Sequence, residues 1–389
     1  MSRSAIWLAL TLVSLSGADV TSAQDLVLSN ATVIDGTGAP PRTGVSIIIR
    51  DGKIAEIEDG ARTGDTTIDL KGRFVRPGLI DAHTHILSAD AAESALLSGV
   101  TTARVPGDRY LRGMGTRDLM RGGHVRGPEL LCAGGIVRPV LGEFFILPFP
   151  EFGRYLNERL SGSENVSAVV RALLDRGVDS IKVGASERAG LATTDPRRQE
   201  LTEEEIEAAV REAATEGKFV AAHAHAEVGA EGAVRAGVRS IEHGTYMNDR
   251  TLALMKEKGT YLVPTLAIMS PLGDPRTDDA NDIALRIRTW HMQTALREVV
   301  KEAHRMGITI AAPTDGSYGD GNDTACVRLQ HDMEELVSIG MTPLEAITAA
   351  TATGADLLGI ADRTGRVSVG LEAGLIVLDR DPLKDFRVI

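Results

Sequence analysis

The chain has 389 residues, 43% hydrophobic and 25% charged, with a formal net charge of −12. That composition describes an ordinary globular protein with enough chain for a large core. The acidic balance argues against nucleic acid and anionic membrane surfaces as partners, since both need basic patches.

Residues 1–23 read as a signal peptide. Arg3 gives a positive start, Ala5 to Leu15 an apolar run, and Thr21-Ser22-Ala23 small residues before Gln24. The run is too short to span a bilayer. There is no Cys near the cleavage region, which argues against a lipid anchor. The protein is therefore expected to be exported, periplasmic or secreted, with no membrane contact after cleavage. Two cysteines, Cys132 and Cys326, lie far apart in sequence. They are expected to be buried free thiols, and a Cys-based metal site is discarded.

Residues 24–77 are β-rich. Leu26–Leu28, Ala31–Ile34, Val45–Ile49 and Ile54–Ile57 are short apolar runs, separated by the turn pairs Asp35-Gly36 and Asp51-Gly52, with Lys71-Gly72 beyond them. From Gly78 the pattern becomes strand, loop, helix, repeated. Strands are expected at 79–86, 101–105, 129–133, 180–186, 219–225, 240–244, 261–266 and 308–314. Helices are expected at Ala91–Leu97, Val166–Arg176, Glu203–Glu216, Gly229–Ala236, Asp249–Lys258 and Ala284–Met306. Thr202 and Glu205 form a capping box, followed by the apolar face Ile206, Ala209, Val210 and Ala213. After two more helical stretches near 342–347 and 351–358, Gly365–Val369 and Leu375–Leu378 return to strand.

This alternation predicts an α/β fold: a (β/α)8 TIM barrel over 78–359. Residues 24–77 and 360–389 would pair as a small discontinuous β-sandwich. A doubly wound sheet is the competing architecture, but it would not bring residues from so many strand ends to one point.

Polar residues recur at those strand ends. His83 and His85 alternate on one strand and so point to the same side. Lys182, His223, His243 and Asp315 stand at or near the ends of later apolar runs. Neutral imidazole is a common metal ligand. His83 and His85 would hold one divalent ion and His223 and His243 a second. A buried lysine beside two cations must lose its charge, and carbamylation of Lys182 by CO2 would turn it into a carboxylate-like bridge. Asp315 would complete the first site. Two divalent cations, zinc being the expected metal, would lower the pKa of an attacking water and polarise a carbonyl. Asp315 would pass that water's proton to a leaving nitrogen. His225 shares a strand face with His223. It would donate a hydrogen bond to the substrate carbonyl, although a ligand role is open to it. Tyr246 is a further candidate for that task. Arg104 would hold a substrate carboxylate, with a structural ion pair as its alternative.

The motifs Pro77-Gly78-Leu79-Ile80-Asp81-Ala82-His83-Thr84-His85, Gly99-Val100-Thr101-Thr102, Ile181-Lys182, His223-Ala224-His225, Ile241-Glu242-His243-Gly244 and Thr314-Asp315 together resemble the metal-dependent amidohydrolase superfamily. The likeness spans nearly the whole mature chain. It is nearest to the imidazolonepropionase-like branch with Xaa-Pro dipeptidases and ochratoxin-type amidases. The resemblance implies a barrel with a flanking sandwich, a binuclear zinc-type centre, a carbamylated lysine and the roles given above.

Three departures stand out. Pro313 replaces the usual Gly before Thr-Asp, which would shift the last strand end. The usual Gly-Gly-His is replaced by Gly134-Gly135-Ile136, leading into Phe144, Phe145, Phe149, Phe152 and Tyr155. That segment is read as an apolar lid over a bulky substrate, with core packing or a contact in a homo-oligomer as alternatives. The chain also stops at Ile389, where relatives usually add a sandwich strand.

The expected function is metal-dependent hydrolysis of an amide bond in a dipeptide-like or N-acyl amino acid substrate. The alternatives are a mononuclear cyclic-amide hydrolase or deaminase, and a catalytically inert metal-binding relative.

Overall fold

A computed structural model describes residues 25–191, 193–273, 283–319 and 327–387. Residues 1–23, read above as a signal peptide, and Cys326 lie outside the described residues. Cys132 is a buried free thiol. Among the described residues no helix is long and apolar enough to cross a membrane.

Two parallel sheets carry the repeated strand–helix pattern. Leu79–Asp81, Val100–Val105 and Glu129–Cys132 form one; Ile136–Val137, Ile181–Gly184, Val220–Ala224, Ser240–His243 and Tyr261–Val263 form the other. Their residues are buried almost throughout, as parallel strands covered on both faces require. The segment 309–315 runs between the two sheets. Leu262 N–H donates to the Thr309 carbonyl at 2.9 Å, and Ala82 N–H donates to the Ala312 carbonyl at 3.0 Å. Asp81 tightens this junction. Its carboxylate accepts from Thr314 N–H, the Thr314 hydroxyl and the Tyr318 hydroxyl at 2.8–3.1 Å.

The first and last expected strands are shorter than the apolar runs suggested. Regular pairing in the first ends at Asp81, and 308–314 keeps a single bridge, Leu262 to Ile310. The expected strand 261–266 stops at Val263, and Leu266–Gly273 is helical. The apolar stretches on either side of Pro264-Thr265 are too short to show a period by which to tell the two apart. The helices agree more closely: Asp249–Lys258 coincides, and Glu203–Ala214 begins at the Thr202 cap. Arg112–Arg121 and Leu329–Ser338 are helices beyond those expected from periodicity.

The two chain ends meet as expected. Leu375–Leu378 pairs antiparallel with Phe74–Pro77. These strands belong to one six-stranded sheet rather than two, with its own core of Leu28, Val45, Ile47, Ile49 and Val75. Leu26–Leu28 and Ala31–Ile34 are one strand, Leu26–Val33, interrupted by a bulge at which Asn30 takes φ +56°. Gly365–Val369 is not a strand, although Val367 N–H still reaches the Asp35 carbonyl at 2.9 Å.

The Phe-rich segment corrects the lid expectation. Phe145, Phe149 and Tyr155 are buried core residues, and the first two rings stack at 5.0 Å. Only Phe144 of this group lines a cavity.

The capping box at Thr202 is reciprocal. Glu205 N–H donates to the Thr202 hydroxyl at 3.3 Å, and Thr202 N–H donates to the Glu205 carboxylate at 2.9 Å. Thr202→Ala should lower unfolding free energy by about 1 kcal/mol, measured by urea denaturation, with no change in the denaturant slope.

Candidate active site

The strand ends open into a cavity of about 370 Å³. His83, His85, Lys182, His223, His225, His243 and Asp315 all line it. Each comes from the carboxyl end of a parallel strand or from the 309–315 segment, so backbone direction alone aims them at one mouth.

Two groups lie at ligand spacing. The donor atoms of His83, His243 and Asp315 fall within 4.8 Å of one another, as do those of His223, His225 and His243. Asp315 Oδ1 is 3.1 Å from His85 Nε2 and 3.3 Å from His83 Nε2. His243 Nε2 is 2.9 Å from His223 Nδ1. Thr245 and Thr265 hold Nδ1 of His225 and His243 at 2.8 Å, fixing both rings. The substitution by Pro313 does not draw the strand end away, since Thr314 and Asp315 N–H both donate to the His83 carbonyl.

Burial drives the histidines toward neutrality. It pushes His223 and His243 well below the ordinary imidazole range and His225 down to about 4. Burial would raise Asp315, but His83 and His85 outweigh it and hold the carboxylate well below its usual range. His223, His225 and His243 therefore offer neutral imidazoles and Asp315 an ionised carboxylate, the protonation states that metal ligands need.

Among the buried polar atoms that lack partners in the described residues are His223 Nε2 and Lys182 Nζ, both on residues that line the cavity. Orphans of this kind are rare in a folded interior. Burial pulls Lys182 down to about 8, with Glu242 opposing from 3.8 Å. The donor set and the orphaned His223 Nε2 fit a cation-binding centre; Lys182 fits one only after losing its charge.

The expectation for Arg104 is corrected. Its side chain is fully buried behind the cavity and does not line it. Nε donates to the Ala82 carbonyl at 2.6 Å, and the guanidinium pairs with both oxygens of Glu242 at 2.7 and 2.8 Å. It is a structural ion pair, not a substrate clamp. Tyr246 is also placed elsewhere. It does not line the cavity, and its hydroxyl meets His291 Nδ1 at 3.3 Å.

Glu242 is a functional residue to which the sequence pattern assigned no role. It accepts from Arg104, from the Ser240 hydroxyl at 2.6 Å and from His83 Nδ1 at 2.7 Å. Burial would raise it, yet Arg104, Lys182 and His83 together hold it well below the ordinary range. Its signal was an acid inside the short strand Ser240–His243, one residue before His243.

Comparison with known proteins agrees with this geometry. The Amidohydrolase family matches residues 74–389. The ochratoxinase of Aspergillus niger is 30% identical over 424 aligned positions, covering 95% of this chain and 84% of that protein. An imidazolonepropionase of Chromobacterium violaceum is 25% identical, covering 90% of this chain and 89% of the other. The crystal structure of a Xaa-Pro dipeptidase with bound methionine in the active site superposes with a TM-score of 0.83 at 28% identity, covering 94% and 96% of the two chains. Site and relatives together define a metal-binding hydrolase that acts on C–N bonds. The chain belongs to the amidohydrolase family, and its structural neighbours imply a TIM-barrel-like fold.

Removing one partner of the Arg104–Glu242 pair leaves a charge stranded in the interior. Arg104→Met should cost about 3–5 kcal/mol of unfolding free energy. In a double-mutant cycle with Glu242→Gln, most of that loss should disappear.

Proposed function

We propose that the protein is a binuclear metallohydrolase that cleaves the amide bond of a dipeptide-like or N-acyl amino acid substrate. The observation that carries this reading is the pair of donor groups at ligand spacing, with the orphaned Lys182 Nζ and His223 Nε2 beside them in one cavity. The activities named for two relatives, an ochratoxinase and a Xaa-Pro dipeptidase, support an amide or peptide substrate. In this reading the two parallel sheets and the 309–315 segment close a (β/α)8 barrel over 78–359. The two chain ends make the flanking domain, and the apolar run at 5–15 directs export.

His83, His85 and Asp315 would hold one cation, and His223 and His243 the other. Lys182, carrying a carbamate after reaction of its neutral amine with CO2 and release of a proton, would lie between them. When bound, the cations, in our reading zinc, lower the pKa of an attacking water and polarise the scissile carbonyl. The remaining work falls to side chains. Asp315 is ionised and so is ready to accept the water's proton, then deliver it to the departing nitrogen. His225 is neutral, with Nδ1 committed to Thr245, which leaves Nε2 to serve the carbonyl oxygen. Glu242 accepts from His83 Nδ1 and thereby turns His83 Nε2 toward the centre.

A single-ion reading has one observation in its favour: His243 belongs to both donor groups. Metal analysis separates the two, with about two ions per chain expected for the binuclear centre.

Chelation should abolish hydrolysis of N-acyl amino acids and dipeptides, and re-addition of zinc should restore it. Asp315→Asn should lower kcat by about 10²–10⁴-fold, read beside its metal content. His225→Asn should lower kcat while keeping both ions; loss of one ion would make His225 a ligand instead. Full activity after chelation and in Lys182→Ala would refute the mechanism.

A further inference from the structure

We propose that Arg188 is the specificity-determining residue that receives a free carboxylate on the substrate, with the Arg138–Glu200 pair behind it. The substrate class is then an amide whose amino acid portion has an unblocked carboxyl end. This rests on the hydrolase reading above and narrows it.

The chain carries a net charge of −12, yet Arg109, Arg138 and Arg188 all line its catalytic cavity. The three differ in what they touch. Arg138 is nearly buried and already satisfied, donating to Glu200 Oε2 at 2.6 and 3.3 Å. Gly184 makes that pair possible, because a Cβ there would lie 2.3 Å from the same carboxylate oxygen. Among the described residues Arg188 has no such partner. Its Nε is shielded from solvent and finds no acceptor among the described residues. Its guanidinium lies 6.0 Å from the centre of the Phe144 ring, and that of Arg109 lies 5.8 Å from the same ring.

A shielded guanidinium donor without an acceptor is costly. Burial, then repulsion by Arg138, pulls Arg188 down to about 10, so it remains cationic at neutral pH. Of the cavity's carboxylates, Asp315 faces the histidines, and Asp108 accepts from Gly113 N–H at 2.9 Å through Oδ2 while its Oδ1 has no partner among the described residues. Neither is bonded to Arg188, and an acceptor carried by the ligand would satisfy its Nε. A planar fork of donors matches a carboxylate bidentately, and the Phe144 face beside it suits the apolar part of an amino acid.

Arg188 reaches the cavity from the loop after Ile181–Gly184, the strand that carries Lys182. It would anchor the substrate end that does not react. Loss of the anchor should then raise KM far more than it lowers kcat.

The test compares N-acetyl-L-phenylalanine with its carboxamide, using wild-type holoenzyme, Arg188→Gln and Arg188→Lys. Binding is followed by calorimetry and turnover is assayed separately. Wild type should bind the acid more tightly than the amide. Arg188→Gln should weaken binding of the acid by about 10- to 100-fold and leave the carboxamide unchanged. Arg188→Lys, which keeps the charge but not the fork, should fall between. Equal affinity of wild type for acid and amide would overturn the inference, whether or not either variant folds. So would an equal loss for both ligands in Arg188→Gln. Discrimination in binding without turnover of any amide would uphold the carboxylate site and sink the hydrolase reading. Turnover without discrimination would do the reverse.

Discussion

The Arg104–Glu242 ion pair is the constraint around which the interior is arranged. Arg104 lies on a strand of the three-stranded sheet and Glu242 on a strand of the five-stranded one, so their contact ties the two sheets across the core. Neither charge has solvent access. Desolvating two ions costs several kcal/mol each, and attraction offsets that only with good geometry and fully used lone pairs. Here Ala82, Ser240 and His83 supply the extra hydrogen bonds. A hydrophobic pair would fill the same volume more cheaply. What it could not do is accept from His83 Nδ1 and so fix which nitrogen of that ring faces the cavity. The pair holds the fold and sets the chemistry through one carboxylate.

Backbone strain gathers at the same place. His243, Thr265 and Asp315 have φ of +72°, +55° and +53°. Left-handed conformations cost non-glycine residues about 1–3 kcal/mol each. Each of these residues ends an extended segment, where the chain must turn sharply if its side chain is to stay over the cavity. Thr265 positions His243, and Asp315 N–H is held by the His83 carbonyl. The strained residues thus bind one another, which is how such conformations persist.

Much of this was legible because a buried strand ordinarily keeps apolar side chains, so polar residues recurring in order at strand ends mark a shared site. His83, His85, Lys182, His223, His225, His243 and Asp315 all reach the cavity. Arg104 was left open between a substrate clamp and an ion pair because a strand-end arginine reads the same whether it points outward or across the core. Only its distance to Glu242, 138 residues away, decides the matter. Tyr246 was misjudged because its partner, His291, lies on a helix whose docking no local pattern encodes. The helix Leu266–Gly273 was hidden because its apolar start, Leu266–Met269, follows the strand after only Pro264-Thr265. Loop arginines at 138 and 188 showed no period at all, so their convergence on the cavity is purely tertiary.

That convergence bears on how an acidic protein could take an anionic substrate. At physiological ionic strength, fields from exposed charges fade over about 8 Å, so most of the negative surface is screened from the cavity mouth. Charges on the cavity walls differ: Arg138 is buried and Arg188 half-buried, so both are screened less, whereas Arg109 is exposed. Arg138 is neutralised by Glu200 and contributes mainly orientation, whereas Arg109 and Arg188 flank a single aromatic ring. A carboxylate would feel net repulsion only outside that radius and attraction within it. The surface would then slow encounter, while the cavity would still select for an anion.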